Sequence, residues 1–149
     1  MKIRYFALAF GIVFLLVGIA GFIPAFVTTP LDMPRDLAIE AGHGYLFGLF
    51  PVNIVHNLVH IVFGIWGLAA YRTLGNARLY ARAVTVIYAL LAIMGLIPGL
   101  DTMFGLVPLH GHDVWLHILL AAIAAYFGFV AKADDDYTTR PTYSSTHRT

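Results

Sequence analysis

The chain contains no cysteine, which excludes disulfides, thiol nucleophiles and cysteine-ligated metals. Charge is scarce too: Asp, Glu, Lys and Arg make up 11% of the 149 residues, against about a quarter in an ordinary soluble domain. With 60% apolar residues and a mean hydropathy of +0.80, the composition argues against a water-soluble fold. A formal net charge of +1 offers no concentrated basic face, so nucleic acid is not an expected partner. No phosphate-cradling glycine loop and no nucleophile elbow occurs. What is present is apolar sequence, enough within 16.4 kDa for about four crossings of roughly 20 residues each.

Four stretches free of charge are long enough to span a bilayer: 5–29, 51–71, 83–100 and 114–131. Each reads as a helix, because an open strand would leave backbone groups unpaired in lipid. The first run is too long for the apolar part of a signal peptide, and no small-x-small cleavage site follows it. Lys2 and Arg4 precede it, Arg72, Arg78 and Arg82 join the second and third spans, and Lys132, Arg140 and Arg148 follow the fourth, whereas Arg35 alone lies in an outer loop. The bias predicts cytoplasmic termini and outward loops at 30–50 and 101–113, in a multi-pass protein of a bacterial inner membrane. Residues 1–133 form the expected membrane domain and 134–149 a disordered cytoplasmic tail. A short surface helix is expected at 31–40, with Asp32 as its cap and Pro34 in its first turn. Tyr5, Tyr71, Tyr80 and Trp115 fit interfacial belts.

The sequence repeats itself. Gly21-Phe22-Ile23-Pro24 returns as Gly95-Leu96-Ile97-Pro98, and Phe47-Gly48-Leu49-Phe50-Pro51 as Phe104-Gly105-Leu106-Val107-Pro108. The same registers set Arg4 against Arg78 and His60 against His117. The expected fold is an all-α, four-transmembrane-helix bundle made of two parallel helix-hairpin repeats, with a pseudo-two-fold axis along the membrane normal. Gly64 and Gly67 on helix two and Ala121 and Ala124 on helix four share a spacing, which predicts that these two helices cross closely at the centre.

Of seven histidines, His43, His56, His60, His110, His112 and His117 fall at the outward end, and His147 in the tail. Ionisable residues in spans usually face the bundle interior and mark functional sites. His56 and His60 are one helical turn apart, as are Asp113 and His117, and the repeat brings the two faces together. Three imidazoles and one carboxylate suit a divalent transition ion such as Zn, Cu, Mn or Fe. His110 and His112, with Glu40 or Asp101, are candidates for supporting positions. The H-E-x-x-H protease motif is absent, since Asn57 follows His56. His60 and His117 could instead be axial ligands of a haem, or the imidazoles could sense external pH. The plain alternative is that the histidines only hydrogen-bond between helices. Asn53 and Asn57 read as caps or interhelical donors, and His43, His110 and His112 as solvated loop residues.

The segments GLFPVNIVHNLVHIVFGIWGLAA, GLIPG and FGLVPLHGHDVWLH resemble a bacterial family of small four-helix membrane proteins catalogued as a domain of unknown function. The resemblance runs over 11–131, apart from the outer loop 30–43. It implies the fold and no reaction. Two functions therefore compete: a membrane protein that holds a metal or cofactor at its outer end through His56, His60, Asp113 and His117, and an accessory subunit of a larger membrane complex or homo-oligomer. An enzyme that uses the site for redox chemistry or hydrolysis comes third.

Overall fold

The computed structural model describes residues 2–29 and 37–132. Within them the chain forms α1 (Lys2–Ala20), α2 (Ile54–Ala70), α3 (Leu74–Gly95) and α4 (His112–Ala125), the last continued by a π-helical segment, Tyr126–Val130. α1, α3 and α4 with its extension are long and apolar enough to cross a membrane. α2 is apolar and, at 17 residues, stands at the short end of the spanning range. Between α1 and α2 the chain makes a small antiparallel sheet of β1 (Val27–Thr28), β2 (Gly44–Leu46) and β3 (Phe50–Val52), in that order. The fold is mostly helical, and the expectation of an all-α protein is corrected by this sheet.

Two span boundaries are corrected as well. The first helix ends at Ala20 and does not run through 5–29; the chain turns at Gly21, and Pro24 opens a 3-10 turn that leads into β1. Pro51 lies in β3, an edge strand, where its missing N–H costs least. The third helix starts at Leu74, capped by the Thr73 hydroxyl accepting from the Asn76 amide, well before the expected span at 83–100. A charge-free criterion cut it short because Arg78 and Arg82 belong to the helix. Their guanidinium groups donate to the Ala131 and Gly128 carbonyls at the end of α4, at 2.8 and 3.0 Å, which satisfies groups a helix terminus leaves open. The expected helix at 31–40 falls largely on residues outside the described ones, as does the tail.

Around its aromatic core the bundle buries many small and polar groups and exposes many large apolar ones. Leu16, Val62, Leu90, Leu119 and Phe129 face outward, while Gly11, Gly64, Gly67, Asn57, Asp113 and His117 lie inside. In water this would forfeit the hydrophobic driving force; in lipid it costs nothing, because the solvent is as apolar as the side chains. Three such helices suggest a membrane protein in a lipid bilayer environment.

α1 packs chiefly on α2, and α3 on α4. A Cβ at Gly67 would lie 2.7 Å from the Gly11 Cα and 2.9 Å from the Ala7 carbonyl, and one at Gly64 2.9 Å from the Gly11 carbonyl. The glycine stripe of α2 therefore faces α1, which corrects the expected close crossing of α2 on α4: small residues permit close approach without naming the neighbour. Between the two pairs lies a core that includes Phe6, Phe14, Tyr80, Tyr88 and Ala124. Tyr80, expected at the interface, is wholly buried and donates to the Phe63 carbonyl at 3.2 Å.

Candidate metal centre

The site is built where α2 and α4 begin. Asn53 precedes α2 in extended conformation, and its side-chain oxygen accepts from the His56 amide at 2.9 Å. Its Nδ2 donates to the carbonyls of Ile39 and Leu106, at 2.9 and 2.8 Å. One buried amide thus ties the first turn of α2 to the α1–α2 connection at Ile39 and the α3–α4 connection at Leu106. Asn57 donates to the Gly21 carbonyl at 2.8 Å, so both asparagines act as the cap and interhelical donor they resemble in sequence. The His56 Nδ1 lies 3.1 Å from the Pro51 carbonyl. A carbonyl only accepts, so this contact places the ring proton on Nδ1 and leaves the Nε2 lone pair free for a cation.

α4 starts after Gly111, whose φ of +69° suits a residue without a Cβ. Asp113 sits in the first turn, where the positive end of the helix dipole favours a carboxylate. His117 is one turn further on, and its Nδ1 lies 3.2 Å from the Asp113 Oδ2. The two are within reach yet off the direction of a hydrogen bond, and neither atom has another hydrogen-bond partner among the described residues. With the neutral ring protonated at Nε2, two buried lone-pair atoms stand side by side, a costly arrangement. A shared cation removes the cost, and in a tetrahedral site with bonds of about 2.0 Å the ligand atoms stand about 3.3 Å apart.

One ligand atom each from His56, Asp113 and His117 lie within 4.8 Å of one another, and all three residues are buried. His60 stands outside that group. Its ring stacks on His56, with centroids 4.6 Å apart, and packs 5.7 Å from the Phe14 ring. His112 is exposed, and His110 is half-buried with its ring 6.2 Å from Tyr45. The Asp101 carboxylate accepts from the Gly99 amide, and Glu40 is exposed. His43 is buried rather than solvated: its Nδ1 lies 3.2 Å from the Val52 carbonyl, and burial holds its pKa below the ordinary 6.5 against that carbonyl's opposing pull.

Residues 4–130 match the family described as a domain of unknown function, DUF4383. The chain belongs to this family. The DUF4383 match reaches into all four helices and includes every residue of the His/Asp group. No curated protein and no solved structure matches the chain.

Beside the group lies a cavity of about 220 Å³, lined by His56, His60 and His117 together with apolar residues that include Val59, Leu91, Met103 and Val107. Tyr88 is also in its wall, with its ring 4.8 Å from that of His117. Neither Tyr88 nor Met103 stands out in sequence, since an aromatic and a methionine in apolar segments carry no spacing signal. Asn53 did carry one: an Asn directly before an apolar helix is a cap by position.

Proposed function

We propose that the protein is a membrane protein that binds one divalent transition ion at the outer end of its bundle, through His56, Asp113 and His117. The observation that carries this reading is the pair of buried, unpartnered atoms, His117 Nδ1 and Asp113 Oδ2, 3.2 Å apart beside His56. Two imidazoles and one carboxylate form a set used for Zn²⁺ and for non-haem Fe²⁺, with Mn²⁺ and Cu²⁺ as further candidates. A haem on His60 and His117 is disfavoured by space: an apolar cavity of about 150 Å³ holds benzene, and a tetrapyrrole is several times larger than the roughly 220 Å³ present.

The accessory-subunit reading requires histidines satisfied by neighbouring helices. The Nδ1 atoms of His43 and His56 meet carbonyls of β3 rather than of a helix; those of His60 and His117 have no hydrogen-bond partner among the described residues.

The reading includes two copies of a helix pair in one chain, α1 with α2 and α3 with α4. Its support is geometric. The Phe47-Gly48 and Phe104-Gly105 turns all have positive φ, of 53°, 72°, 59° and 83°. A Cβ at Gly21 would strike Asn57, and one at Gly95 would lie 2.8 Å from Val114, the residue that the offset between His60 and His117 sets against Asn57. The distribution of cations supports cytoplasmic termini, and the site would then face outward.

The test is elemental analysis of protein purified in detergent without chelators. About one equivalent of zinc, iron, manganese or copper is expected, lost in His117→Ala and Asp113→Asn. No metal in folded protein, even after incubation with each ion, would transfer the proposal to the accessory-subunit reading.

A further inference from the structure

Of the three ligand residues, His56 and His117 line the cavity and Asp113 does not. An ion held by all three adjoins the cavity through its two imidazoles. Three ligands leave at least one position of a tetrahedral ion open, and the cavity beside the group is space for the molecule that fills it. The remaining lining is mainly apolar, with Val59, Phe63, Leu91 and Met103 among it, and contains no Asp, Glu, Lys or Arg. Apart from the ion's own charge, such a wall offers a charged ligand no ionic partner to replace its hydration, and it offers apolar surface to an uncharged one.

From this we infer that the ion's open position takes a small uncharged molecule with one lone-pair donor atom. This rests on the metal reading above. Size follows from volume: the cavity, at about 220 Å³, exceeds the roughly 150 Å³ that accommodates benzene, so the ligand ranges from a diatomic gas to a single ring. The route follows from exposure. Val59 belongs to the cavity wall and is 39% exposed on the outside of α2, so the wall reaches the flank that faces lipid. A molecule that partitions into the bilayer has a short path to the ion from there.

The experiment uses full-length protein in detergent, loaded with Co²⁺, whose visible bands report its coordination. Neutral imidazole serves as the uncharged probe and thiocyanate as the charged one. Imidazole should shift the cobalt bands saturably, with an affinity at least about tenfold above that of thiocyanate. Val59→Trp and Leu91→Trp, which fill the cavity from different helices, should keep the cobalt and lose the imidazole response. Cobalt content is measured after each titration. Bound cobalt with no response to imidazole would overturn the inference and leave the metal reading standing, because a protein group would then occupy the fourth position. An unchanged response in both tryptophan variants would overturn the cavity route. Failure to bind cobalt or any other ion would remove both readings together.

Discussion

The α1–α2 pair and the α3–α4 pair solve the same packing problem with different side chains. In the first, Gly21 makes room for Asn57, which donates back to the Gly21 carbonyl. In the second, Gly95 makes room for Val114, and no polar bond replaces the amide. At the opposite end of the bundle from the His/Asp group the likeness is closer. Arg4 donates to the Tyr71 carbonyl at the end of α2, as Arg78 and Arg82 donate to carbonyls at the end of α4. The decisive difference is one residue before the asparagine: His56 in the first pair, Asp113 in the second. A symmetric site would face histidines with histidines and carry no charge. On the proposed reading, divergence at this position supplies the carboxylate that would partly neutralise a divalent ion. The comparison teaches that the chemistry is set by the places where the pairs disagree.

Erasing that disagreement gives the largest expected effect. In Asp113→His the ligand set keeps its nitrogens and loses its only oxygen. Affinity for Mn²⁺ should fall by at least about 10–100-fold, the loss that even outer partners of ligands produce, while Cu²⁺ binding survives because imidazole suits it. Competition titration reads both. Unchanged manganese affinity would mean that Asp113 does not touch the ion, and the two pairs would then differ only in packing.

A smaller effect separates the two glycines. Gly21→Ala and Gly95→Ala each overpack a helix seam, at a cost of about 1–3 kcal/mol. Gly95→Ala should cost more, because its Cβ meets the Leu109 backbone carbonyl, whereas at Gly21 the obstacle is the Asn57 side chain, which can rotate. Thermal unfolding in detergent measures the difference, and the reverse order would show that the Asn57 amide is the stiffer of the two contacts.

The smallest effect belongs to His43, which only the first pair's outer segment carries. Its folded-state pKa lies below 6.5, with burial as the main cause and His110 and Glu40 as the charged neighbours. The unfolded chain therefore takes up this proton first, so its contribution to stability is constant above about pH 6.5 and declines as the pH falls further. Melting temperature should drop between about pH 7 and pH 5.5, and less so in His43→Gln. An identical decline in the variant would assign the pH response to other groups.

Much of the candidate site was legible from spacing. His56 and His60, and Asp113 with His117, show their shared faces through a separation of four, and the internal offset between His60 and His117 pairs those faces. What spacing could not give was which of the four side chains converge. His60 lies one turn from His56 on the same face, yet its ring stacks on His56 and it is not in the group. The glycine stripe of α2 was legible as a seam, but composition does not say that Gly11 of α1 is the surface it meets. The sheet stayed hidden because strands of two or three residues are too short to show alternation, and one of them contains Pro51. The start of α3 was misread because Arg78 and Arg82 lie within the helix.

Asn53 adds a dimension of time to the architecture. Its two acceptors lie on opposite sides of it in the chain: Ile39 is made before it, and Leu106 follows 53 positions later. At about 5–20 residues per second of synthesis, one donor of this amide waits for several seconds after the other is satisfied. The same interval separates His56 from Asp113. During it the first pair is a half-finished vessel with an unspent hydrogen-bond donor at its rim, and arrival of the second loop both closes that bond and delivers the carboxylate. Completion of the fold and assembly of the His/Asp group therefore coincide, so a nascent chain brings the proposed ligands together only once its last helix has begun.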